Sequence, residues 1–276
     1  MSPLWRDRVG VALFPDRLVL ARVSCGVRAR LKAKEAIVFT PAESGTRAWQ
    51  PAVDALAAKV ASGALSGAEV SVVLSSLFVH YTLVPWSDAL GSEEEETAFV
   101  RHCFARIYGD QAEGWTLKLS RSIPGKPRLA CAVETMLMDA LNTTMTPLGR
   151  GYRSLQPHLM ASFNRWRARL DNEPVWFVAA EPGLLSIALL RDGHWHSVRT
   201  VSVGADWLKQ LPGVLNREEC IVDCSADCNE VVLFAPEGPE QMVLDTGKWR
   251  ISNLVPTLLP GMAAGVDAPF SIVVGV

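Results

Sequence analysis

The chain has 276 residues, of which 49% are hydrophobic and 20% are charged, and its formal net charge at pH 7 is −2. This is the composition of a folded globular protein, and the near-zero charge disfavours nucleic acid or an anionic membrane surface as the main partner. Charged residues near the N-terminus argue against a signal peptide. Prolines interrupt the apolar stretch near the C-terminus, so no membrane-spanning helix is predicted. Six cysteines in such a chain indicate reduced thiols and a cytoplasmic location.

The first predicted element is a β-hairpin in RVGVALFPDRLVLARV, residues 8–23, where two apolar runs flank a break at Pro15 and Asp16. A third strand follows in RARLKAKEAIVF, and apolar spacing predicts a helix in TRAWQPAVDALAAKVA. Two further strands are predicted in AEVSVVLSS and LFVHYTLVPW. The order of elements up to Trp86 is therefore β-β-β-α-β-β.

The strongest helix signal is GSEEEETAFVRHCFARIYGD, where Ser92 and Glu95 form a capping box. Four glutamates in a first turn complement the helix dipole, so we interpret them as solvated rather than metal-binding. The predicted buried stripe is Phe99, Cys103, Phe104 and Ile107.

Strands in GWTLKLS and RLACAVE and a helix from Thr135 to Thr146 then predict a small inserted α+β subdomain over about 77–150. A helix is predicted next in SLQPHLMASFNRWRARL, with Leu159, Phe163, Trp166 and Leu170 on one side.

The second half repeats the opening pattern in VWFVAAEPGLLSIALLRDGHWHSVRTVSVG: a strand, a proline turn, a strand, a glycine turn and a third strand. Pro182 matches Pro15, and Gly183 stands where the first copy has Asp16. A short helix in ADWLKQL and strands in ECIVDC, EVVLFAP and FSIVVGV complete the prediction. The pattern indicates an α/β fold, with α+β elements, built by a diverged duplication. Its predicted halves are 1–156 and 157–276.

A duplicated three-strand meander with helical crossovers is the plan of the ribonuclease-H-like or actin-like ATPase fold. The order of four segments also resembles PilM-like proteins of type IV pilus systems and the cytoplasmic part of the type II secretion protein GspL. These segments are VGVALFPDRLVLARV, VSVVLSSLFVHYTLVPW, SEEEETAFVRHCFARIYG and VWFVAAEPGLLSIALLRDG. The resemblance extends over nearly the whole chain.

The resemblance implies phosphate-binding hairpins, and the first of them is degenerate here. PilM-like ATP binders place an Asp, a Gly and a Ser-rich turn there, which fall on Ala12, on Phe14 and on residues 15–17 of this chain. Pro15 has no amide hydrogen and Asp16 adds negative charge where a phosphate would lie.

The second hairpin is degenerate in the same way. Its Asp-x-Gly falls on Ala179, Ala180 and Glu181, before Pro182 and Gly183. The family's glycine-rich adenosine segment, expected after the last strand FSIVVGV, is not found there. We therefore expect no catalytic residues, no bound cofactor and no hydrolysis, with ATP and Mg²⁺ binding as the alternative.

Two clusters could suggest a metal. The spacing of Cys220, Cys224 and Cys228 in CIVDCSADC is not that of a zinc knuckle, so buried small hydrophobic side chains are favoured. His194 and His196 alternate around Trp195 and would share a strand face, but no further ligand stands near them in the sequence. No metal site is predicted.

The resemblance also implies a partner. In PilM-like proteins the cytoplasmic tail of a PilN-like inner-membrane protein docks between the first core subdomain and the inserted one. Here Phe78, Tyr81, Leu83 and Trp86 lie at the entry to the insertion and are expected to line such a groove by strand addition, with core packing as the alternative.

The expected function is a non-catalytic, actin-like adaptor of a type IV pilus or type II secretion assembly. It would be cytoplasmic and peripheral to the inner membrane through its partner, with homo-oligomerisation left open. One alternative is an active nucleotide-binding PilM-like ATPase. The other is a small-metabolite kinase of the same fold, with Asp206 or Asp223 as its carboxylate.

Overall fold

The computed structural model describes residues 6–26, 29–42, 45–121, 123–170, 174–222, 228–238, 244–245, 247–263 and 265–275. The strands are β1 (Arg8–Leu13), β2 (Arg17–Val23), β3 (Leu31–Val38), β4 (Glu69–Leu74), β5 (His80–Val84), β6 (Trp115–Leu119), β7 (Arg128–Glu134), β8 (Tyr152–Pro157), β9 (Val175–Glu181), β10 (Leu184–Arg191), β11 (His194–Ser202), β12 (Glu230–Phe234), β13 (Leu244–Asp245) and β14 (Arg250–Asn253).

The helices are α1 (Gln50–Ala61), α2 (Glu93–Tyr108), α3 (Thr135–Met145), α4 (His158–Trp166), α5 (Trp207–Ile221) and α6 (Ser271–Val274). Short 3-10 turns occupy Ser76–Phe78, Gly109–Gly114, Thr146–Gly151, Arg167–Arg169 and Ala268–Phe270. None of the helices within the described ranges is both long and apolar enough to cross a bilayer.

The chain forms two compact units, each assembled from separate stretches. The first combines 1–79, 133–165 and 256–276, and the second combines 80–132 with 166–255. The boundaries of these units differ from those of the actin-like halves 1–156 and 157–276, and the halves stay a prediction.

A five-stranded sheet of order β3-β2-β1-β4-β8 forms the core of the first unit. The β1–β2 and β2–β3 pairs are antiparallel, whereas β4 is parallel to both β1 and β8. The central strands are apolar at nearly every position because helices cover both sides, as in other sheets with parallel neighbours. The strand β8 was not predicted, since the apolar spacing of the helix after it extends back into its residues.

The C-terminal segment covers one face of this sheet. Its helix α6 contacts β1, β2 and β4, and a Cβ on Gly10 would lie 1.9 Å from the carbonyl oxygen of Val273. Arg165 donates a hydrogen bond of 2.5 Å to the carbonyl of Ser271, and Lys34 pairs with the buried carboxylate of Asp267. The predicted strand FSIVVGV is therefore wrong, because these residues bury against the sheet face instead of pairing at an edge.

The second unit contains a six-stranded sheet of order β11-β10-β9-β12-β14-β13. Its first four strands repeat the arrangement β3-β2-β1-β4, with β12 parallel to β9 as β4 is to β1. The β10–β11 turn has positive φ at Asp192 (51°) and Gly193 (69°), as the right-handed twist of a tight hairpin favours. The predicted duplication is thus visible as two sheets of one plan.

Helix α5 packs on this sheet through Leu211, Val214 and Leu215. It was predicted only over ADWLKQL, but it extends to Ile221 and takes in the first residues of the predicted strand ECIVDC. That strand prediction is wrong for 219–221, and the rest of it past Val222 lies outside the described residues. The short strands β13 and β14 were not predicted.

The inserted subdomain is a three-stranded sheet of order β5-β7-β6 with α2 against one face. The N-cap at Ser92 is confirmed, since its Oγ accepts a hydrogen bond from the Glu95 amide, but the Glu95 carboxylate accepts its return bond of 2.7 Å from the Gly91 amide instead of the Ser92 amide. Val100 and Phe104 are the buried residues of α2, whereas Ile107, predicted to be buried, is 60% exposed.

The residues of the insertion predicted over about 77–150 are divided between the two units. Helix α3, predicted to belong to it, packs against α1 in the first unit. Residues 80–132 group with the second sheet, and β5 contacts β11.

Candidate functional site

The tip of the first hairpin is filled by a side chain. Phe14 is 4% exposed, its ring lies edge-on to His158 at a centroid distance of 6.2 Å, and the Arg17 guanidinium carbon lies 4.7 Å from the ring centre. The Phe14 amide donates to the carbonyl of Arg17 at 2.9 Å, which closes the turn. Ala12, where the family's Asp would stand, is buried in β1.

Apart from the Arg17 guanidinium, which is paired with Asp16, the remaining groups of this tip are unsuited to an anion. Pro15 has no N–H, and the Asp16 carboxylate lies 3.6 Å from Arg17 Nη1. The Asp16 carbonyl accepts a hydrogen bond of 2.9 Å from the Phe39 amide, which ties the turn to the end of β3. A phosphate here would meet a carboxylate and a buried ring.

A cavity of about 320 Å³ lies at the second hairpin tip, within the second unit. Its walls are the turn 180–183, the link 203–205 with Trp207 at the start of α5, and residues 235, 237 and 238 after β12. The cavity lies at the carboxyl ends of the parallel strands β9 and β12, where open α/β sheets bind ligands. Gly183, with φ 78° after Pro182, gives the turn its tight form.

The walls combine small, acidic and aromatic side chains. Glu181 is 5% exposed, Glu237 is exposed at the rim, and Trp207 is half-buried. Among the residues that the structure describes, no lysine, arginine or histidine lines the cavity. The described lining therefore offers a phosphate two carboxylates and the N-terminus of α5, which carries only about half a positive charge.

The residues predicted from the degenerate hairpins have different places. Ala12 and Ala179 are buried strand residues, and Phe14 and Asp16 belong to the first tip. Glu181 and Gly183 line the cavity.

Sequence reasoning missed the other two walls, including Trp207 and Glu237. Their signal was a glycine shortly after a strand end, at Gly204 and Gly238. The adenosine segment was expected after FSIVVGV, but the strand parallel to β9 is β12, and the cavity wall 235–238 follows it directly.

The four residues predicted to bind a partner differ in exposure. Phe78 and Tyr81 are 6% and 5% exposed and so present little surface, as the core-packing alternative expects. Leu83 and Trp86 are half-buried, and Trp86 Nε1–H donates to Asp88 Oδ1 at 2.8 Å. Their role as a docking groove stays a prediction, with Leu83 and Trp86 as its accessible members.

The histidine and cysteine candidates do not form a metal site in the part of the chain that the structure describes, where no three His, Cys, Asp or Glu residues converge. A bulge in β11 sets Trp195 and Ser197 opposite consecutive residues of β10 and leaves His196 between them, so simple alternation does not hold at this pair. Burial, and then the Arg191 charge, lowers the pKa of His196. Cys220 is exposed and Cys228 is buried, and Cys224 lies outside the described residues.

Asp206, one kinase candidate, precedes α5 at the surface and lies 3.7 Å from Lys209, its side chain 75% exposed. It does not line the cavity. Asp223, the other candidate, lies outside the described residues.

The two sheets of one plan, with helices between their strands, define the class: the chain has the actin-like ATPase fold. No family model matches it, and a search of curated proteins finds no match. The relatives named below come from solved structures.

A chain of the PilM–PilN type IV pilus biogenesis complex superposes with a TM-score of 0.57 at 19% identity, over 82% of this chain and 80% of that one. The cytoplasmic domain of EpsL, an inner-membrane component of the type II secretion system of Vibrio cholerae, gives a TM-score of 0.58 at 12% identity over 90% of each chain. A Bacteroides thetaiotaomicron protein of unknown function with an actin-like ATPase fold gives 0.53 at 9% identity over 85% of each chain. The predicted fold, and with it the resemblance to PilM-like and GspL-like proteins, is confirmed.

Proposed function

We propose that the protein is a non-catalytic, actin-like adaptor of a type IV pilus or type II secretion assembly. It binds the cytoplasmic tail of an inner-membrane partner of the PilN kind. The likeness in fold to one chain from a pilus complex and one from a secretion system supports a role in such an assembly. The two hairpin tips support the proposal that the protein does not hydrolyse ATP.

The observation that carries the proposal is the filled first hairpin. Phosphate-holding turns present several backbone N–H groups to the anion. In this turn the Phe14 amide is already bonded to Arg17, and Pro15 has no amide hydrogen. Arg17 stands beside the Asp16 carboxylate and offsets its repulsion of a phosphate, so the proposal depends on the missing backbone N–H donors and the buried Phe14 ring.

The partner's tail is expected to use the surface of Leu83 and Trp86. The hydrogen bond to Asp88 fixes the Trp86 ring, and a rigid, half-buried tryptophan is a typical anchor of a protein interface. Tyr81 lies on the same face of β5 as Leu83. Because Tyr81 is buried, it offers the tail little contact surface of its own.

The test is a calorimetric titration with the cytoplasmic tail of a bitopic membrane protein encoded beside this chain. Trp86→Ala should weaken binding at least about fivefold, since truncating an interface anchor costs more than about 1 kcal/mol. Ile107→Ala removes an exposed apolar side chain of α2 outside the proposed surface and should leave affinity unchanged. Absence of any tail binding, or equal losses in both variants, would contradict the proposal.

An active PilM-like ATPase is the second candidate, favoured by one observation: the cavity lies at the carboxyl ends of parallel strands. Saturable binding of Mg²⁺–ATP by the wild-type chain would support it.

A further inference from the structure

The β6–β7 hairpin of the inserted subdomain carries exposed basic and apolar side chains together. Residues 114–133 contain four basic residues and no acidic one, although the net charge of the whole chain is −2. We propose that this basic hairpin (residues 115–134) binds the surface of an anionic lipid bilayer directly. Ile123 enters the interface, while Lys118, Arg121 and Lys126 contact the phosphate headgroups. The chain makes this contact by itself, so it goes beyond the binding of a partner's tail.

The tip of the basic hairpin is a tight turn with a defined backbone. The Lys126 amide donates a hydrogen bond of 3.1 Å to the carbonyl of Ile123, and Gly125 has φ 73° after a proline, as a type II turn requires. At the end of the two strands, the Ser120 amide donates to the carbonyl of Leu129 at 2.9 Å. The tip is therefore held at a fixed place beyond the paired strands.

The tip suits the boundary between water and lipid. Ile123 is 48% exposed, and the neighbouring Pro124 is exposed as well. Pro124 and Pro127 have no amide hydrogen, and the Lys126 amide is already bonded within the turn. Few N–H groups of the tip would therefore lose water without a replacement, which is the main cost of placing a loop in an apolar medium.

The basic side chains around the tip are available for anions. Lys118, Arg121 and Lys126 are exposed, and none of them forms an ion pair with any residue that the structure describes. Arg128 differs, since it pairs with Glu96 of α2 and donates a hydrogen bond of 2.9 Å to the carbonyl of Ser120. Arg128 thus stabilises the base of the hairpin, and three cations remain for headgroups.

The acidic first turn of α2 determines which side of the basic hairpin can face the lipid. Glu96 reaches Arg128, so this turn lies near the base of the hairpin. Leu117 and Leu119 pack on the α2 side of the sheet, and Lys118 between them points to the other face because side chains alternate along a strand. The bilayer therefore meets the tip and the face that carries Lys118, away from the glutamates.

The bilayer is the partner that uses both features of the basic hairpin. Long basic side chains reach headgroups while an apolar neighbour lies in the interface, as in other proteins that bind at membrane surfaces. Each cation near an anionic surface strengthens binding about fivefold, the equivalent of ~1 kcal/mol. Three cations together predict a preference of about a hundredfold for anionic over neutral lipid.

The first test mixes the full chain with vesicles and measures the bound fraction by sedimentation. One set contains equal parts of phosphatidylglycerol and phosphatidylcholine, and the other contains phosphatidylcholine alone. Binding to the anionic set should be about a hundredfold stronger at about 50 mM NaCl and should weaken steeply at about 500 mM. Equal binding to both sets, or binding to neither, would overturn the proposal. The vesicles hold lipid only, so this result is independent of the tail.

Variants test whether the hairpin is the surface that binds. Lys126→Gln should weaken binding to the anionic vesicles about fivefold, and Ile123→Ser should do the same because about half of an isoleucine side chain loses its burial in the interface. The matched controls are Lys209→Gln on α5 and Ile107→Ser on α2, which make the same changes at exposed positions outside the hairpin. Equal losses in the control variants would overturn the proposal.

The apolar variant also separates a bilayer from a soluble polyanion. If Lys126→Gln weakens binding and Ile123→Ser does not, the loop binds negative charge without entering the interface, and an acidic protein segment replaces the bilayer as its partner. Losses in both hairpin variants with none in the controls are the result that the proposal predicts.

Discussion

The C-terminal helix lies close against the first sheet at Gly10, and Gly10→Ala should destabilise the protein. The added Cβ would lie 1.9 Å from the carbonyl oxygen of Val273, whereas Cβ atoms essentially never come within 3.0 Å of such an atom. The backbone of α6 must therefore move by about 1.1 Å, the difference between the two distances. Backbone cannot rotate away as a flexible side chain can.

The protein can accommodate the added Cβ in two ways, and the one that costs less free energy determines the loss of stability. If α6 leaves the sheet, Ile272 and Val273, which are 3% and 2% exposed, lose their burial, which costs about 1.5 to 3 kcal/mol each. If α6 stays and the core shifts, overpacking costs about 1 to 3 kcal/mol. We therefore expect a loss of about 1 to 3 kcal/mol in the free energy of unfolding.

Urea unfolding measures this loss, and Gly213→Ala is the matched control. Gly213 lies in α5 with open space around its Cβ position, so alanine there should be neutral or stabilise the chain by up to about 1 kcal/mol. Hydrogen exchange of the α6 amides should accelerate in Gly10→Ala alone. A change of less than about 0.5 kcal/mol would refute the close approach of α6.

Three further outcomes follow from buried side chains. Phe14→Ala should lower the free energy of unfolding by about 3 to 5 kcal/mol, measured in urea, because the ring is buried; a loss below about 1 kcal/mol would mean that the tip is open. Hydrogen bonds, first from Lys34, lower the pKa of Asp267 below its usual 3.8, so its stabilisation is present above about pH 4 and is lost as the pH falls through the lower folded value. The deficit of Asp267→Asn should shrink below that pH in acid titrations, and a constant deficit would contradict this. Burial raises the pKa of Cys131 to about 11, so peptide mapping should find it alkylated at pH 8 far more slowly than the exposed Cys220, and equal rates would argue against it.

The local signals of the sequence determined much of the fold. Proline turns between two apolar runs marked both hairpins, and the spacing of Ser92 and Glu95 marked the start of α2. These features depend on a few neighbouring residues, so they can be recognised without the rest of the chain. The same reasoning made the duplication visible.

Elements whose state depends on distant partners were missed. FSIVVGV contains β-branched residues that favour a strand, yet it forms α6 because Gly10 leaves room for it on the sheet face. Tyr152–Pro157 pairs with β4 although its own pattern is weak. In both cases tertiary contacts override local preference.

The candidate site, like the fold, was predictable from the sequence only in part. The substitutions at Ala12, Phe14 and Glu181 could be read from the sequence, because each stands at a recognisable point of a hairpin. The cavity could not, since Glu181, Trp207 and Glu237 come from three separate segments that only the sheet brings together. Sequence patterns do not show which distant segments lie next to one another in the folded chain.

The most direct test of the account is thermal unfolding of the wild-type chain with and without 2 mM ATP or ADP and Mg²⁺ (a probe concentration of about 100 Kd for a ligand of about 20 µM affinity). Such a ligand would stabilise the folded state by about 2.7 kcal/mol and raise the Tm by roughly 5 to 10 °C. The account predicts no shift, because the first hairpin tip is filled by Phe14. A rise of several degrees with nucleotide would contradict it and favour an active ATPase.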